Sequence, residues 1–272
     1  MKSELSVSVL FEPVARAALN LAEASAVVID AIRATTTIVA ALAAGCREVV
    51  PYRTVEEVRA EAARRSAGTV VTAGERLGVR IEGLDYNNSP SVMTAENVGG
   101  RTLLLTTTNG TQAILDAMAA REVLIAAMPN RRAVARRLAA LGRRVVFVSA
   151  GTVGTVSCED TLVAGAVIAA LLDEKRVQDP FSFHPDNSGL PSQSDKKRVQ
   201  DPFSWRLEDS ALVALAAWQG AEGRLDELFH RTWGGAFIAK LGLEADLAVC
   251  TQVDTMDVVP QARGNPPVIA AG

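Results

Sequence analysis

Four short polar turns hold the residues of this chain best suited to chemistry: Asp30 with Arg33 and Thr35, Thr36 and Thr37; Gly74, Glu75 and Arg76; Thr106 to Thr108 with Asn109, Gly110 and Thr111; and Ser149, Ala150 and Gly151. Each follows an apolar run that reads as a β-strand. Threonine hydroxyls, Asn, Gly and the free N–H groups of a helix N-terminus donate hydrogen bonds to an anion. Arg33 and Arg76 add charge, and the carboxylates can hold a hard cation. A phosphorylated small molecule with Mg²⁺ fits this set best. In an open α/β sheet the strands' carboxyl ends share one crevice, so turns spread over about 120 residues can converge on one ligand.

Each turn also has a plainer reading. Threonines before a helix are ordinary caps, and Asn109-Gly110 alone would be a simple turn. Asp30 and Arg33 beside three hydroxyls, and the excess of hydroxyls before Asn109, favour anion binding. Glu82 and Asp85 lie in a loop where carboxylates are common, yet with Glu75 and Arg76 they put three carboxylates and an arginine within 11 residues of a strand end. Glu159 and Asp160 follow the fourth turn and also suit the start of a helix, where the dipole favours acids. His230 and Trp233 read as packing residues among apolar helices.

The elements that must position these turns alternate. Apolar runs predict strands near Leu5–Phe11, Ala26–Asp30, Glu48–Pro51, Thr69–Ala73, Thr102–Thr107, Glu122–Ala126 and Arg144–Ser149. Helical spacing appears over Thr35–Ala44, Val55–Arg65, Thr111–Ala119, Arg131–Leu141 and Glu159–Leu172. That order predicts an α/β fold, a three-layer α/β/α arrangement around a mostly parallel sheet, as one domain over 1–272 or two smaller lobes. Gly74 to Gly100 breaks the alternation with Gly83, Asn87, Asn88 and Pro90; an irregular connection of that length reads as functional. Within it Ser89-Pro90 reads as an N-cap followed by proline at the first helical position. Further helices are expected over Asp209–Gln219, Leu225–Arg231 and Ala236–Leu241, then a last strand over Leu247–Cys250.

Composition narrows the chemistry. With 272 residues, 49% of them hydrophobic, the chain can bury a full core without staples. Cys46, Cys158 and Cys250 are far apart and form no CxxC pair, which suits a reducing cytoplasm, argues against structural zinc and reads as three small core residues. A net charge of −3 without a basic run gives no footprint for nucleic acid. Charges interrupt the first 20 residues, unlike a signal peptide, and no stretch reaches the roughly 18 uncharged apolar residues of a membrane span. A soluble, cytoplasmic protein that self-associates is expected. His184 and His230 are the only histidines, too few for a dinuclear histidine-ligated metallophosphatase and lacking an Arg-His-Gly nucleophile. No cysteine has an arginine six positions on, and no Asp-x-Asp-x-Thr follows an apolar strand. Phosphoryl chemistry here must rest on oxygen ligands and metal.

The octapeptide Lys-Arg-Val-Gln-Asp-Pro-Phe-Ser occurs at Lys175–Ser182 and again at Lys197–Ser204. The polar sequence between the copies cannot bury enough apolar surface to order itself well. Residues 175–205 therefore read as a duplicated surface insert, with a partner-binding loop as the alternative.

Taken in order, the motifs resemble those of the 2-phosphosulfolactate phosphatase family. The matching residues are Asp30, Arg33 and Thr35 to Thr37; Gly74, Glu75, Arg76 and Gly78; Glu82, Gly83, Asp85 and Asn88-Ser89-Pro90; Thr107 to Thr111; Ala150, Gly151 and Gly154; Glu159 and Asp160; Ala164 and Gly165. Leu241-Gly242, Asp246, Cys250, Asp254 and Val259-Pro260 continue the match. Asn87 and Trp233-Gly234 depart from it, where glycine and His-Gly are expected.

The resemblance implies Mg²⁺-dependent hydrolysis of (R)-2-phospho-3-sulfolactate to 3-sulfolactate and phosphate, in the route to coenzyme M. On this reading Asp30, Arg33, Glu75 and Asp160 are catalytic, and Asp30, Glu75, Glu82 and Asp85 hold the metal. Thr35, Thr36, Arg76, Asn88, Thr108, Asn109, Gly110, Thr111 and Gly151 bind the small phosphorylated, sulfonated acid. Two alternatives stay open: a phosphatase for another phosphorylated 2-hydroxy acid, and a phospho-ligand binding protein without turnover.

Overall fold

The computed structural model describes residues 5–13, 21–178 and 205–272, with the backbone alone for 175–178. Eleven strands form one continuous sheet among the described residues. Five belong to one parallel set: β1 (Leu5–Leu10), β2 (Ser25–Ile29), β7 (Glu122–Ile125), β8 (Val145–Ser149) and β9 (Trp205–Leu207), ordered β7-β2-β8-β1-β9. Three more, β3 (Glu48–Pro51), β4 (Val70–Arg76) and β6 (Thr102–Thr106), form a second parallel set, ordered β4-β6-β3. The short β5 (Val79–Arg80) folds back on β4. A hairpin of β10 (Pro260–Arg263) and β11 (Val268–Ala271) joins the sets, β11 antiparallel to β3 and β10 antiparallel to β7.

Strands β2, β6 and β8 are buried along their whole length, which is why they read as continuous apolar runs. Their side chains still alternate between two cores. Val27, Ile29 and Phe147 face α5 (Arg131–Leu141), α6 (Cys158–Gln178) and α7 (Asp209–Ala221). Ala26, Val28, Val146 and Val148 face α1 (Ala34–Ala43) and α4 (Gly110–Ala117), which also pack against Val49, Val71 and Leu103 of the second set. Val50 and Leu104 turn the other way, onto Val58 of α2 (Val55–Arg64). The result is a large, mostly parallel sheet with helices on both faces, a three-layer α/β/α arrangement. At Gly165 a Cβ would stand 2.0 Å from the Ala214 carbonyl oxygen, so its absence lets α6 and α7 touch backbone to backbone.

Because the linking hairpin is antiparallel to both neighbours, the two parallel sets run in opposite senses. Five neighbour steps separate β6 from β2. A twist of about 20–25° per step accumulates to about 100–125° over that distance, which swings the carboxyl ends of the two sets toward each other. The four polar turns thus meet through curling of a divided sheet, not because all strands point one way.

Leu247–Cys250, expected as a strand, belongs to helix α10 (Glu244–Cys250). Its buried positions, Asp246, Leu247 and Cys250, follow helical spacing, and Glu244 and Asp246 lie in its first turn. The hairpin strands and β9 were not foreseen. The connection after β4 is more ordered than expected: a 3₁₀ turn spans Pro90–Val92, with Ser89 preceding it, and α3 covers Ala95–Val98. Helices α8 (Leu225–Arg231) and α9 (Trp233–Lys240) follow α7. Cys46 and Cys250 are buried but Cys158 is exposed, and all three are free. Most of the duplicated segment, including its second copy, lies outside the described residues; positions 175–178 continue α6. Among the described residues no helix is long and apolar enough to cross a membrane.

Candidate functional site

Three strand-end turns, those after β2, β6 and β8, open into one cavity of about 200 Å³, joined by the end of β4 and the connection behind it. Asp30, Arg33, Glu75, Asn88, Thr108, Asn109 and Gly151 line it. Asp30 stands at the end of β2. Its Oδ1 accepts from Ala34 N at 3.3 Å, and its main-chain groups exchange bonds with Thr35 Oγ1 at 2.9 and 3.1 Å. The turn contains a cis Ile32–Arg33 peptide. Gly110, which opens α4, lies against this carboxylate: a Cβ there would be 2.5 Å from Asp30 Oδ2 and 2.4 Å from Ala34 Cβ. The first turn of α4, with N–H groups that lack intrahelical partners, can therefore sit directly beside Asp30. Burial, then Asp160, pushes the Asp30 carboxyl up to about 8; Glu75 adds to the rise, while the Ala34 N–H and Arg33 oppose it.

Two further carboxylates organise the turns. Glu75 is buried and accepts from Thr108 N at 2.7 Å, Thr108 Oγ1 at 3.1 Å and Gly78 N at 2.8 Å, so it clamps the β6–α4 turn to the β4–β5 hairpin. Asp160, at the head of α6, lies behind Asp30. It accepts from Ala31 N at 2.8 Å, Ser149 Oγ at 2.8 Å and Gly151 N at 3.1 Å, holding the β2 and β8 turns together. Burial pushes its carboxyl up to about 6, with Glu159 adding to the rise and these hydrogen bonds opposing it.

Arg33 is buried in an ion pair with Asp246 of α10, Nη1 to Oδ2 at 2.6 Å, and its Nη2 donates to Gly78 O at 3.1 Å. Asp246 also accepts from Ser89 Oγ at 2.5 Å and Ser91 Oγ at 2.7 Å. One carboxylate thus ties α10, the 3₁₀ turn and the β2–α1 turn together. Asn88, beside Ser89, reaches the cavity, and its Oδ1 is buried without a hydrogen-bond partner among the described residues.

Several residues expected at the site stand back from the cavity. Thr36 Oγ1 donates to Ala31 O and Thr35 Oγ1 to Asp30 O, so both hydroxyls brace their own turn. Thr111 exchanges bonds with Thr107. Arg76 donates to Glu75 O and Thr106 Oγ1 and supports the strand ends. The structure does not bring Glu82 and Asp85 to the cavity: Glu82 is exposed, and Asp85 Oδ2 accepts from Thr72 N and Oγ1, tying the long connection to β4. A short exposed loop carries them outward past the strand end.

Other residues had been given no role at the site. Glu159, buried at the head of α6, accepts from Thr232 Oγ1 at 2.7 Å, and a Cβ on Gly234 would come 2.4 Å from its Oε1. This contact fixes the start of α9, whose Trp233 and Phe237 form an outer wall; their rings stack with centroids 5.2 Å apart at 14°. Trp233 is 60% exposed, and is no packing residue. Leu77 and Val153, 76% and 71% exposed with φ of 52° each, stand on the same rim. His230 is exposed, with Nδ1 against Asp226 O, and does not line the cavity. Glu159, Asp246 and the Trp233-Gly234 pair, each singled out in the sequence, were the available signals.

Sequence comparison agrees in extent with this arrangement. The family profile described as 2-phosphosulpholactate phosphatase matches residues 14–265. A "Probable 2-phosphosulfolactate phosphatase" of Symbiobacterium thermophilum is 37% identical over 241 residues, 89% of this chain and 92% of that protein. One from Caldanaerobacter subterraneus is 33% identical over 246 residues, 90% of each. One from Clostridium botulinum is 44% identical over 149 residues, 55% of this chain, and the aligned part spans 63% of that relative's length. The profile match runs through all four turns, α9, α10 and the strand β10, the segments that build and brace the cavity, and on that extent the chain belongs to the 2-phosphosulpholactate phosphatase family.

Proposed function

We propose that the chain is a phosphoric monoester hydrolase that releases phosphate from (R)-2-phospho-3-sulfolactate, with Mg²⁺ as cofactor, and so feeds 3-sulfolactate toward coenzyme M. The observation that carries this reading is the placement of Asp30 directly against the first turn of α4, with Gly110 leaving the space between them open. A helix N-terminus and a carboxylate at one point suit a phosphoryl group that arrives with a cation.

The donor set fits Mg²⁺. The ion is usually held by one or two carboxylates, with water and substrate phosphate completing its shell. Glu75 and Asp160 each accept three hydrogen bonds from protein donors, whereas Asp30 accepts one on its side chain, so Asp30 is the carboxylate most open to the ion, with Asn88 Oδ1, without a partner among the described residues, as a second hard oxygen. The Asp30 carboxyl is raised because burial and the nearby Asp160 and Glu75 disfavour its anion, which a cation would favour. When bound, Mg²⁺ would neutralise charge developing on the phosphoryl oxygens. The chain's own part is preorganisation. Asp246 holds the Arg33 guanidinium at the cavity wall, Glu75 fixes the Thr108 turn, and Trp233 and Phe237 screen the site from water.

Phosphate release from 2-phosphosulfolactate and 2-phospholactate, each with Mg²⁺ and with EDTA, tests the proposal. Metal-dependent release that strongly prefers the sulfonated substrate supports it. Ligand binding without release at any metal concentration would leave a binding protein. One observation favours the second enzymatic reading, a phosphatase for another phosphorylated 2-hydroxy acid. Arg33 is the only cationic side chain among the described residues lining the cavity, it is already paired with Asp246, and the outer wall is aromatic. Equal or better turnover of 2-phospholactate would select that reading.

A further inference from the structure

At the opposite ends of the same strands lies a second concavity, of about 580 Å³, whose charge runs against that of the whole chain. It is lined by Arg121, Arg137, Arg143 and Arg263 and a single carboxylate, Glu122, in a protein whose net charge is −3. Arg137 Nη2 and Arg143 Nη1 approach Glu122 from two sides, at 2.8 Å to Oε1 and 3.2 Å to Oε2. Gln261 Nε2 donates to Glu122 Oε1 at 2.5 Å, and Arg263 donates to the amide oxygen of Gln261. Arg121 meets Glu23, itself 84% exposed, at 3.2 Å. The contacts among described residues thus use one nitrogen of each guanidinium, although each carries five N–H donors in a planar fork.

We propose that this basin binds a small polyanion bearing two linked phosphate-type groups, at a site separate from the catalytic cavity. Four elements bring the arginines together: the α4–β7 connection, α5, the α5–β8 connection and β10. Within a Debye length of about 8 Å their fields add instead of being screened. Glu122 within the basin and Glu23 at its edge leave two positive charges in excess, and like charges held together by fixed elements stabilise an incoming anion of comparable charge. The forks suit the paired oxygens of phosphate groups, and the volume exceeds the need of one phosphate, lying within the range for small-molecule sites. Glu122 pairs in register with Ser25, and Asp30 lies five residues further along that neighbouring strand. The basin and the cavity are therefore about 17 Å apart along the sheet.

The test is calorimetric titration of the full chain with inorganic pyrophosphate in EDTA, at low and at raised ionic strength, for wild type, D30N, R143Q/R263Q and R143K/R263K. The expected result is binding by wild type and D30N that weakens with salt, falls at least about tenfold in R143Q/R263Q, and is intermediate in R143K/R263K, which keeps charge but loses the forks. Phosphatase activity equal to wild type in R143Q/R263Q verifies that the fold persists. No binding by wild type, or equal binding by wild type and R143Q/R263Q, would overturn the proposal.

Discussion

Asp30→Asn separates what the site gives to catalysis from what it takes from stability. Burial, Asp160 and Glu75 together raise the Asp30 carboxyl from its ordinary 3.8 to about 8. The unfolded chain releases this proton near pH 4 and the folded protein only near pH 8. Between those values the folded state binds more protons than the unfolded state, so stability falls as pH rises. At about 1.4 kcal/mol per unit, the loss between pH 5 and pH 8 is about 4 kcal/mol at most. Asparagine keeps an oxygen to accept from Ala34 N and cannot ionise. Urea denaturation in EDTA should therefore show D30N more stable than wild type near pH 8, with the gap narrowing by several kcal/mol toward pH 5. Asp160, raised to about 6, adds a fall between about pH 4 and 6 in wild type. Mg²⁺ should stabilise wild type at pH 8 but not D30N, and D30N should lose nearly all turnover. Parallel pH curves for the two proteins would refute the charge argument, and wild-type turnover by D30N would refute the catalytic role.

The other perturbations address the frame around Asp30. Asp246→Ala leaves the Arg33 guanidinium buried without its partner, a loss of about 3–5 kcal/mol measurable by urea denaturation. Gly110→Ala should raise intrinsic helix propensity by up to about 1 kcal/mol, yet its Cβ must displace Asp30 Oδ2 from 2.5 Å; kcat/KM should drop sharply, and an unchanged value would remove Gly110 from the site. Glu82→Gln, at an exposed position, should stay within about 0.5 kcal/mol of wild-type stability and keep the wild-type Mg²⁺ requirement, measured as phosphate release against metal concentration.

The sequence revealed the fold where burial was two-sided. Strands such as Thr102–Thr106 and Val145–Ser149 are buried throughout and carry unbroken apolar runs, Leu103 to Leu105 and Val145 to Val148, because both faces are covered, and helix spacing between them was clear. The linking hairpin was not legible. Its strands are four residues each, separated by a Gly-Asn-Pro-Pro turn, and nothing local says that they enter the middle of the sheet. Leu247–Cys250 shows the opposite failure. Four apolar residues in a row fit a strand or a buried helix segment equally well, and here the acidic first turn decides for the helix.

Residue type found the turns but could not say which groups face the ligand. Thr35, Thr36, Thr111 and Arg76 have the chemistry of anion donors, and hydrogen bonds already engage them, within their own turns for the threonines and to Thr106 at the end of β6 for Arg76. Partners distant in sequence decide such questions. Asp246 is 213 positions from Arg33, and Asp160 is 129 from Ala31. Without these carboxylates the arginine would be an unpaired buried charge and the β2 turn would have free donors, so the bracing is as necessary as the groups it positions. Glu75 makes the point at one residue. It was expected to hold metal, and its two oxygens already accept three hydrogen bonds from Thr108 and Gly78, donors that compete with an ion for the same lone pairs. Asp30, whose Oδ2 lies beside the side-chain-free Gly110, has no such obstacle. The same strand-end position thus leaves a carboxylate oxygen open in one turn and makes a clamp in another, and the difference lies in which neighbours reach the carboxylate first.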